Sequence, residues 1–539
     1  MKLTLMGITD NRQEWLDKGF ILPGYDIEAM KLETAAAPEW IHFGAGNIFR
    51  GYIACLADDL LGKGLMKSGI IAVDVFNTEP IEKIFDPFDD LALLVGLKAD
   101  GGRYLRVIGS VAEACAAVGE GFERLKSAAR CNSLKMISFT ITEKGYAVTD
   151  LNGDMLPAVA ADISAGPRGE LSSALGKVCA LLLERFTAGA MPVALVSMDN
   201  CSQNGDKLCQ GIRTVAQGWV KNGFIGGEFL SYINDPEGVS FPWSMIDKIT
   251  PRPDPAIGKE LEAMGIEDME PVITKRGTFL APFVNAELPQ YLVIEDSFPN
   301  GRPPLDEAGV YLTDRETVGK TEKMKVMTCL NPLHTALAVF GCLLGYKKIS
   351  DEMNDPDLKE LVYRLGCKEG LPVVVDPGII RPEDFLKEVL TERLPNAALP
   401  DTPQRIACDT SQKIPIRFGG TVKAYAAKGG AGSLELIPLV IAAWLRYLMA
   451  LDDEGKAMEL SPDPMIPQLQ KTIRSGWFKG SEPYTDSDRE ALLAVLSNSE
   501  LFGTDLVSAG LSEKILSYFE KLTASEGAVR NTLKEALLK

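Results

Sequence analysis

Hydrophobic positions in the first three hundred residues switch period repeatedly. Residues 40–43 form a short apolar run that ends at a glycine cluster. After it, Ile48, Phe49, Tyr52, Ile53, Leu56 and Leu60 recur at helical spacing, which predicts a helix over 48–61. Residues 70–76 read as a strand again. Further strands are expected at 91–97, 136–141 and 193–198, with a helix at 171–186 between the last two. Strands that are apolar nearly throughout are buried on both faces, so this alternation predicts a parallel, doubly wound α/β sheet. Later in the chain, strand signals are few. Helices are expected at 332–346, 357–365, 383–390, 434–450, 488–497, 512–522 and 528–538. The stretch PNGRPPLDEAG (299–309), rich in Pro, Gly and charge, separates the two patterns. It divides the chain into an α/β domain over 1–305 and a mainly helical domain over 306–539.

Composition narrows the partners. The chain has 539 residues, with 56 basic against 74 acidic side chains and a net charge of −18. That balance argues against a nucleic-acid backbone or an anionic membrane as main partner and leaves a small molecule. Apolar residues at 46% exclude disorder for the body of the chain. Ten cysteines lie scattered, none in a CxxC pair, as expected of reduced thiols in a cytoplasmic protein. The first residues lack the apolar core of a signal peptide, and the longest apolar run, 436–445, is too short to span a bilayer. Only His42 and His334 are available as imidazole ligands, and neither has a second histidine nearby, so no metal is expected. Nothing in the sequence sets an oligomeric state.

Strand 40–43 runs into Gly44-Ala45-Gly46-Asn47-Ile48-Phe49-Arg50-Gly51 at the start of a helix. Glycines at such a turn let backbone approach a pyrophosphate, and the helix start offers free N–H groups and a positive dipole. This is the arrangement of a Rossmann-like dinucleotide site. The spacing is GxGxxxxG instead of GxGxxG, so a glycine-assisted turn without ligand remains open. The next strand should end in an acid that grips ribose hydroxyls. Asp74 is the candidate, 30 residues after Gly44 and either at the strand tip or within the strand.

A second segment joins Lys325, Asn331 and His334, with Glu322 just before it. Desolvation lowers a lysine's pKa, so a buried amine in such a segment can act as general base near neutral pH. An amide and an imidazole beside it can donate to a developing alkoxide. A solvated helix lysine and a core histidine would give the same spacing.

Five blocks carry a family resemblance: HFGAGNIFRG (42–51), SMDNCSQNG (197–205), SMIDKITP (244–251), VIEDSFPNGRP (293–303) with KVMTCLNPLH (325–334), and DTPQRIACDTSQKIPIRF (401–418). In these the chain resembles the polyol-specific long-chain dehydrogenases, a family that includes mannitol 2-dehydrogenases and hexuronate reductases. The resemblance implies a Rossmann-like N-terminal domain and a mostly α-helical C-terminal domain. It implies reversible, metal-independent hydride transfer between NAD(H), preferred to NADP(H), and an acyclic sugar acid or polyol. By this likeness Lys325 is the catalytic base and Glu322 aids proton exchange. Asn331, His334 and Asn200 polarise the reacting oxygen; Asp247, Arg405 and Lys413 bind substrate; Gly44, Gly46 and Arg50 form the cofactor loop. Asn47, inside that loop, and Asp74, from its place at the second strand, are expected to bind the cofactor with them.

One departure matters. The family spacing is K-x4-N-x2-H, whereas Lys325 to Asn331 is K-x5-N. One extra residue turns a helix by ~100°, so the lysine keeps its place only if a bulge or an irregular helix start absorbs it. Lys248 also stands where many members have Arg. Arg405, Lys413, Arg417 and Arg252 offer anchors for a carboxylate, so the expected reaction is reduction of D-fructuronate to D-mannonate. The alternatives are mannitol 2-dehydrogenase or tagaturonate reductase activity, or an inactive sugar-acid-binding protein.

Overall fold

A computed structural model describes residues 1–150 and 152–538. The chain forms two compact units, residues 1–98 with 102–319, and residues 99–101 with 320–539.

The first unit is built on six parallel strands: β1 (Trp40–Phe43), β2 (Ile70–Asp74), β3 (Val111–Ala116), β4 (Met136–Phe139), β5 (Val193–Ser197) and β6 (Val239–Ser240). Their spatial order is β3-β2-β1-β4-β5-β6. The order reverses direction between β1 and β4, which opens a crevice at the carboxyl ends of those strands. Successive residues serve opposite faces. Ile41, Phe43, Ile71, Val73, Val193 and Leu195 join the core formed with α2 (Ala174–Thr187) and α3 (Asn204–Lys221). Trp40, Ile70, Ala72, Ala194 and Val196 join the core formed with α1 (Ala54–Gly62). This two-sided burial is why the strands are apolar without alternation. Each fully buried Leu, Val or Phe contributes about 1.5–3 kcal/mol.

The third strand of this sheet carried no clear apolar signal. Val111–Ala116 reads VAEACA and is an edge strand in which Glu113 and Cys115 stay partly exposed. The strand expected at 91–97 exists as Ala92–Leu97 but belongs to a separate mixed sheet with Phe20–Ile21, Arg103–Ile108 and Phe283–Glu287. A short run of buried apolar residues cannot say which sheet it joins. A further sheet contains β7 (Ser244–Asp247), antiparallel to Tyr291–Glu295.

The second unit is helical. The division from the first falls within α4 (Arg315–Lys323). A π-turn, Met324–Cys329, leads to α5 (Asn331–Leu344), where every residue from Thr335 to Leu343 is buried. Helix α6 (Thr410–Arg417) follows the DTPQR segment. Helix α7 (Leu436–Tyr447) is buried along its whole length, and α8 (Ser512–Thr523) packs against it. The Glu369 carboxylate closes the start of α7, accepting from the N–H groups of Glu435, Leu436 and Ile437 at 2.7, 2.7 and 2.9 Å. The continuous helical stretch Arg315–Leu344 is long and apolar enough to cross a bilayer, but 78% of its most apolar window is buried inside the protein, as in a core helix.

Candidate active site

The edge of the parallel sheet is built around Gly44. Its φ is +106°, and a Cβ added there would stand 2.2 Å from the carbonyl oxygen of Thr140 at the end of β4. Only glycine fits this turn. The Gly44 N–H donates to Val73 at 2.9 Å, and the Thr140 hydroxyl donates to the Gly44 carbonyl at 2.9 Å. The loop is therefore stitched to both neighbouring strands. Gly46 has open space where a side chain would be. Gly51 does a different job, since a Cβ there would meet Val284 at 2.8 Å. It lets the helix, which passes through a π-turn at Phe49–Ile53, lie close to the neighbouring sheet.

Asp74 is the last residue of β2, at the strand tip. Its Oδ1 accepts from the N–H groups of Phe76 and Asn77, both at 2.9 Å. Asn47 and Arg50 are turned inward. Asn47 donates to the Pro251 carbonyl at 3.3 Å and accepts from the Arg50 guanidinium at 3.0 Å. Arg50 is buried, donates to the Ala281 carbonyl at 2.6 Å, and has its pKa lowered to about 10 by loss of solvent. In this state it braces the loop from beneath. His42 is also internal. Its ring nitrogens pair with the hydroxyls of Ser138 at 2.6 Å and Thr140 at 2.8 Å, its ring stacks on Phe49, and burial lowers its pKa to about 3. It is a neutral core histidine.

Asn200 is exposed in the turn after β5, and Asp247 is buried at the end of β7. Asn204, which in the sequence reads as one of several turn-forming residues, holds these two segments together. The Asn204 amide, fully buried, donates to the carbonyls of Ser197, Asp199 and Ser244 at 3.2, 3.0 and 3.0 Å and accepts from the Ser244 N–H at 3.0 Å. The signal was in the second block, but one asparagine among several turn-forming residues gives no sign of burial. Lys248 needs no bidentate fork here, since its amine donates to the Glu287 carbonyl at 2.5 Å and to the Gln290 side chain at 2.8 Å.

In the helical unit Lys325 is 3% exposed and lies in the π-turn. The Leu330 N–H donates to the Lys325 carbonyl at 3.1 Å, a bond spanning five residues instead of four. That wider turn takes up one extra residue. The insertion is thus absorbed before Asn331, where α5 starts with Pro332 in its first turn. Asn331 and His334 stand three residues apart on one face of α5. Glu322 is partly buried on α4, three residues before Lys325.

The DTPQR segment adds a carboxylate to this group. Asp401 Oδ2 lies 3.6 Å from His334 Nε2, and its other oxygen pairs with the exposed Arg405 guanidinium. Arg417 is half-buried and donates to the Thr335 hydroxyl at 2.7 Å; loss of solvent lowers its pKa to about 10. The Lys413 amine caps its own loop, donating to the carbonyls of Ile406 at 3.1 Å and Cys408, and desolvation lowers its pKa. Among the described residues no group of three or more His, Cys, Asp or Glu side chains could hold a metal ion.

A doubly wound sheet with a glycine turn at its crevice, and a helical unit carrying a buried lysine before an Asn–His helix start, define an oxidoreductase of the dinucleotide-dependent type. The chain belongs to the mannitol dehydrogenase family: residues 38–307 match its Rossmann domain and residues 317–523 its C-terminal domain. It is 50% identical over 543 aligned residues to the D-mannonate oxidoreductase of Thermotoga maritima, covering 100% of this chain and 99% of that one. It is 28% identical to the D-mannonate oxidoreductase of Escherichia coli K12, covering 87% and 92%. Its fold is similar to that of Pseudomonas fluorescens mannitol 2-dehydrogenase in a ternary complex with NAD and D-mannitol, with a TM-score of 0.72, 27% identity and full coverage of both chains.

Proposed function

We propose that this chain interconverts D-fructuronate and D-mannonate with NAD(H), without a metal. The single observation that carries the choice of substrate is the 50% identity along the whole chain to a D-mannonate oxidoreductase. Relatives named mannitol 2-dehydrogenase stand at 26–29%. The ten cysteines are all free thiols, which fits a reducing compartment and supports a cytoplasmic protein.

The residues present fit a dinucleotide. Gly44 and Gly46 keep the crevice free of side chains, and Asp74 sits at the tip of β2 where ribose hydroxyls are bound. Bound there, the nicotinamide supplies or accepts the hydride. Lys325 gives a proton to the carbonyl oxygen as the ketone carbon is reduced and takes it back when the alcohol is oxidised. Asn331, His334 and Asn200 donate to that oxygen while it carries negative charge, and Asp247 binds substrate hydroxyls. Burial of Lys325 keeps its amine away from competing water. Glu322 passes the proton to solvent. Arg405 and Lys413 are the cations offered to the substrate carboxylate; Arg405 does so by leaving Asp401.

The test is NADH-dependent reduction of D-fructuronate, tagaturonate and fructose by the purified chain, with kcat/KM for each. Preference for fructuronate is the expected result. Clear preference for fructose would overturn the assignment in favour of mannitol 2-dehydrogenase activity. Nucleotide binding with no turnover of any of the three would favour a binding protein.

A further inference from the structure

Beyond the strand tip at Asp74 lies a group of side chains that the hydride chemistry does not use. Phe76 is 51% exposed. Arg276 holds its guanidinium over the Phe76 ring, 5.3 Å from the centroid. The Lys177 amine is 5.9 Å from the same ring; it is buried and donates to the Val75 carbonyl at 2.5 Å, which fixes the backbone just before Phe76. The Asp74 carboxylate fixes the backbone from the other side, through its bonds to the Phe76 and Asn77 N–H groups.

Arg276 comes from the turn of a short hairpin, Val272–Ile273 against Phe279–Leu280. Gly277 at φ +78° shapes the turn, and the Thr274 N–H donates to the Thr278 carbonyl at 2.9 Å to close it. The hairpin is tied down beside β2. The Lys275 N–H lies 3.1 and 3.3 Å from the two oxygens of Glu79, five residues beyond Asp74. Phe76 and Arg276 are thus brought together from distant parts of the sequence, each with its backbone secured.

A ring and a cation held against one another are the groups that bind a flat heteroaromatic base by stacking and cation–π attraction. Phe76 stands two residues beyond the acid positioned for the ribose hydroxyls, with Arg276 over its ring, so the base of the same nucleotide reaches them. We propose that Phe76 and Arg276 form the platform for the adenine ring of the dinucleotide, with Asp74 holding the ribose next to it. This rests on the nucleotide reading of the sheet edge given above. It is independent of which sugar acid is reduced.

The experiment measures binding of ADP-ribose and of NADH to the full chain by titration calorimetry. ADP-ribose carries the adenosine half without the nicotinamide. Arg276→Ala and Phe76→Ala are each expected to weaken both ligands roughly 3- to 30-fold. The double variant is expected to be little worse than the weaker single one, because the two side chains act as one platform. Arg276→Lys should lose less than Arg276→Ala. Arg276 is exposed on a turn, so its variants should keep the wild-type thermal midpoint. Unchanged ADP-ribose affinity in Arg276→Ala and Phe76→Ala would overturn the platform. Wild-type chain that binds ADP-ribose but reduces no hexuronate would reject the substrate assignment and leave the platform standing. Wild-type chain that binds neither nucleotide would sink the platform together with the nucleotide reading.

Discussion

Asp401 places one carboxylate oxygen 3.6 Å from His334 Nε2 and pairs the other with Arg405. A single acid therefore lies beside the imidazole proposed to polarise the reacting oxygen and also restrains a cation proposed to receive the substrate carboxylate. Behind metal-bound histidines, removing the supporting carboxylate typically costs about 10- to 100-fold, and the same order is expected for this carboxylate–imidazole pair. Asp401→Asn is expected to lower kcat about that much, and to alter KM for a charged substrate more than for fructose because Arg405 is released. Steady-state kinetics with both substrates checks this; a wild-type kcat would show that the pair is only structural.

Lys325→Ala should abolish turnover by several orders of magnitude while NADH still binds, measured by stopped-flow reduction and calorimetry. The π-turn gives a sharper test. Deleting Val326 would let the helix revert to an α-helical ladder and rotate Lys325 relative to Asn331 by ~100°. The deletion variant should fold, bind NADH normally and lose at least about 100-fold in kcat. Full activity in it would mean that the wide turn plays no part in placing the lysine.

Gly44→Ala tests the crevice. The added Cβ would have to displace the Thr140 carbonyl, 2.2 Å away, and the residue would have to hold φ +106°. Both effects strain the native loop, at a cost of about 1–3 kcal/mol or more. A lowered thermal midpoint and NADH affinity weakened at least about 10-fold are expected. An unchanged midpoint would mean that the turn relaxes easily.

Glu352 supplies a pH prediction. It is fully buried, its two carboxylate oxygens lack hydrogen-bond partners among the described residues, and burial raises its pKa to about 9. The folded chain then holds a proton that the unfolded chain releases, so this group makes stability fall as pH rises from about 4.5 to about 9. Glu352→Gln cannot ionise and should be more stable than wild type at pH 7, by up to ~3 kcal/mol, with the difference vanishing below pH 4.5. Urea denaturation at several pH values measures it; parallel stability curves for the two proteins would contradict the neutral buried acid.

The periodicity of the chain was enough to predict a parallel α/β sheet followed by helices, because strands covered on both faces must be apolar throughout and surface helices must be amphipathic. The glycine turn at 44–46 and the acid at 74 stood out because few residue types suit such a strand–helix turn, while the roles given to Lys325, Asn331 and His334 came from the family resemblance and belong to the proposal. The rest depended on long-range packing. Whether 92–97 joined the main sheet, whether Arg50 faced ligand or core, how the extra residue before Asn331 was absorbed, and that Asp401 would meet His334 or Arg276 would meet Phe76 are contacts between segments distant along the chain or choices among local geometries of similar energy. Only the tertiary structure decided them, since side-chain type states what a group can do, while its environment and partners determine what it does.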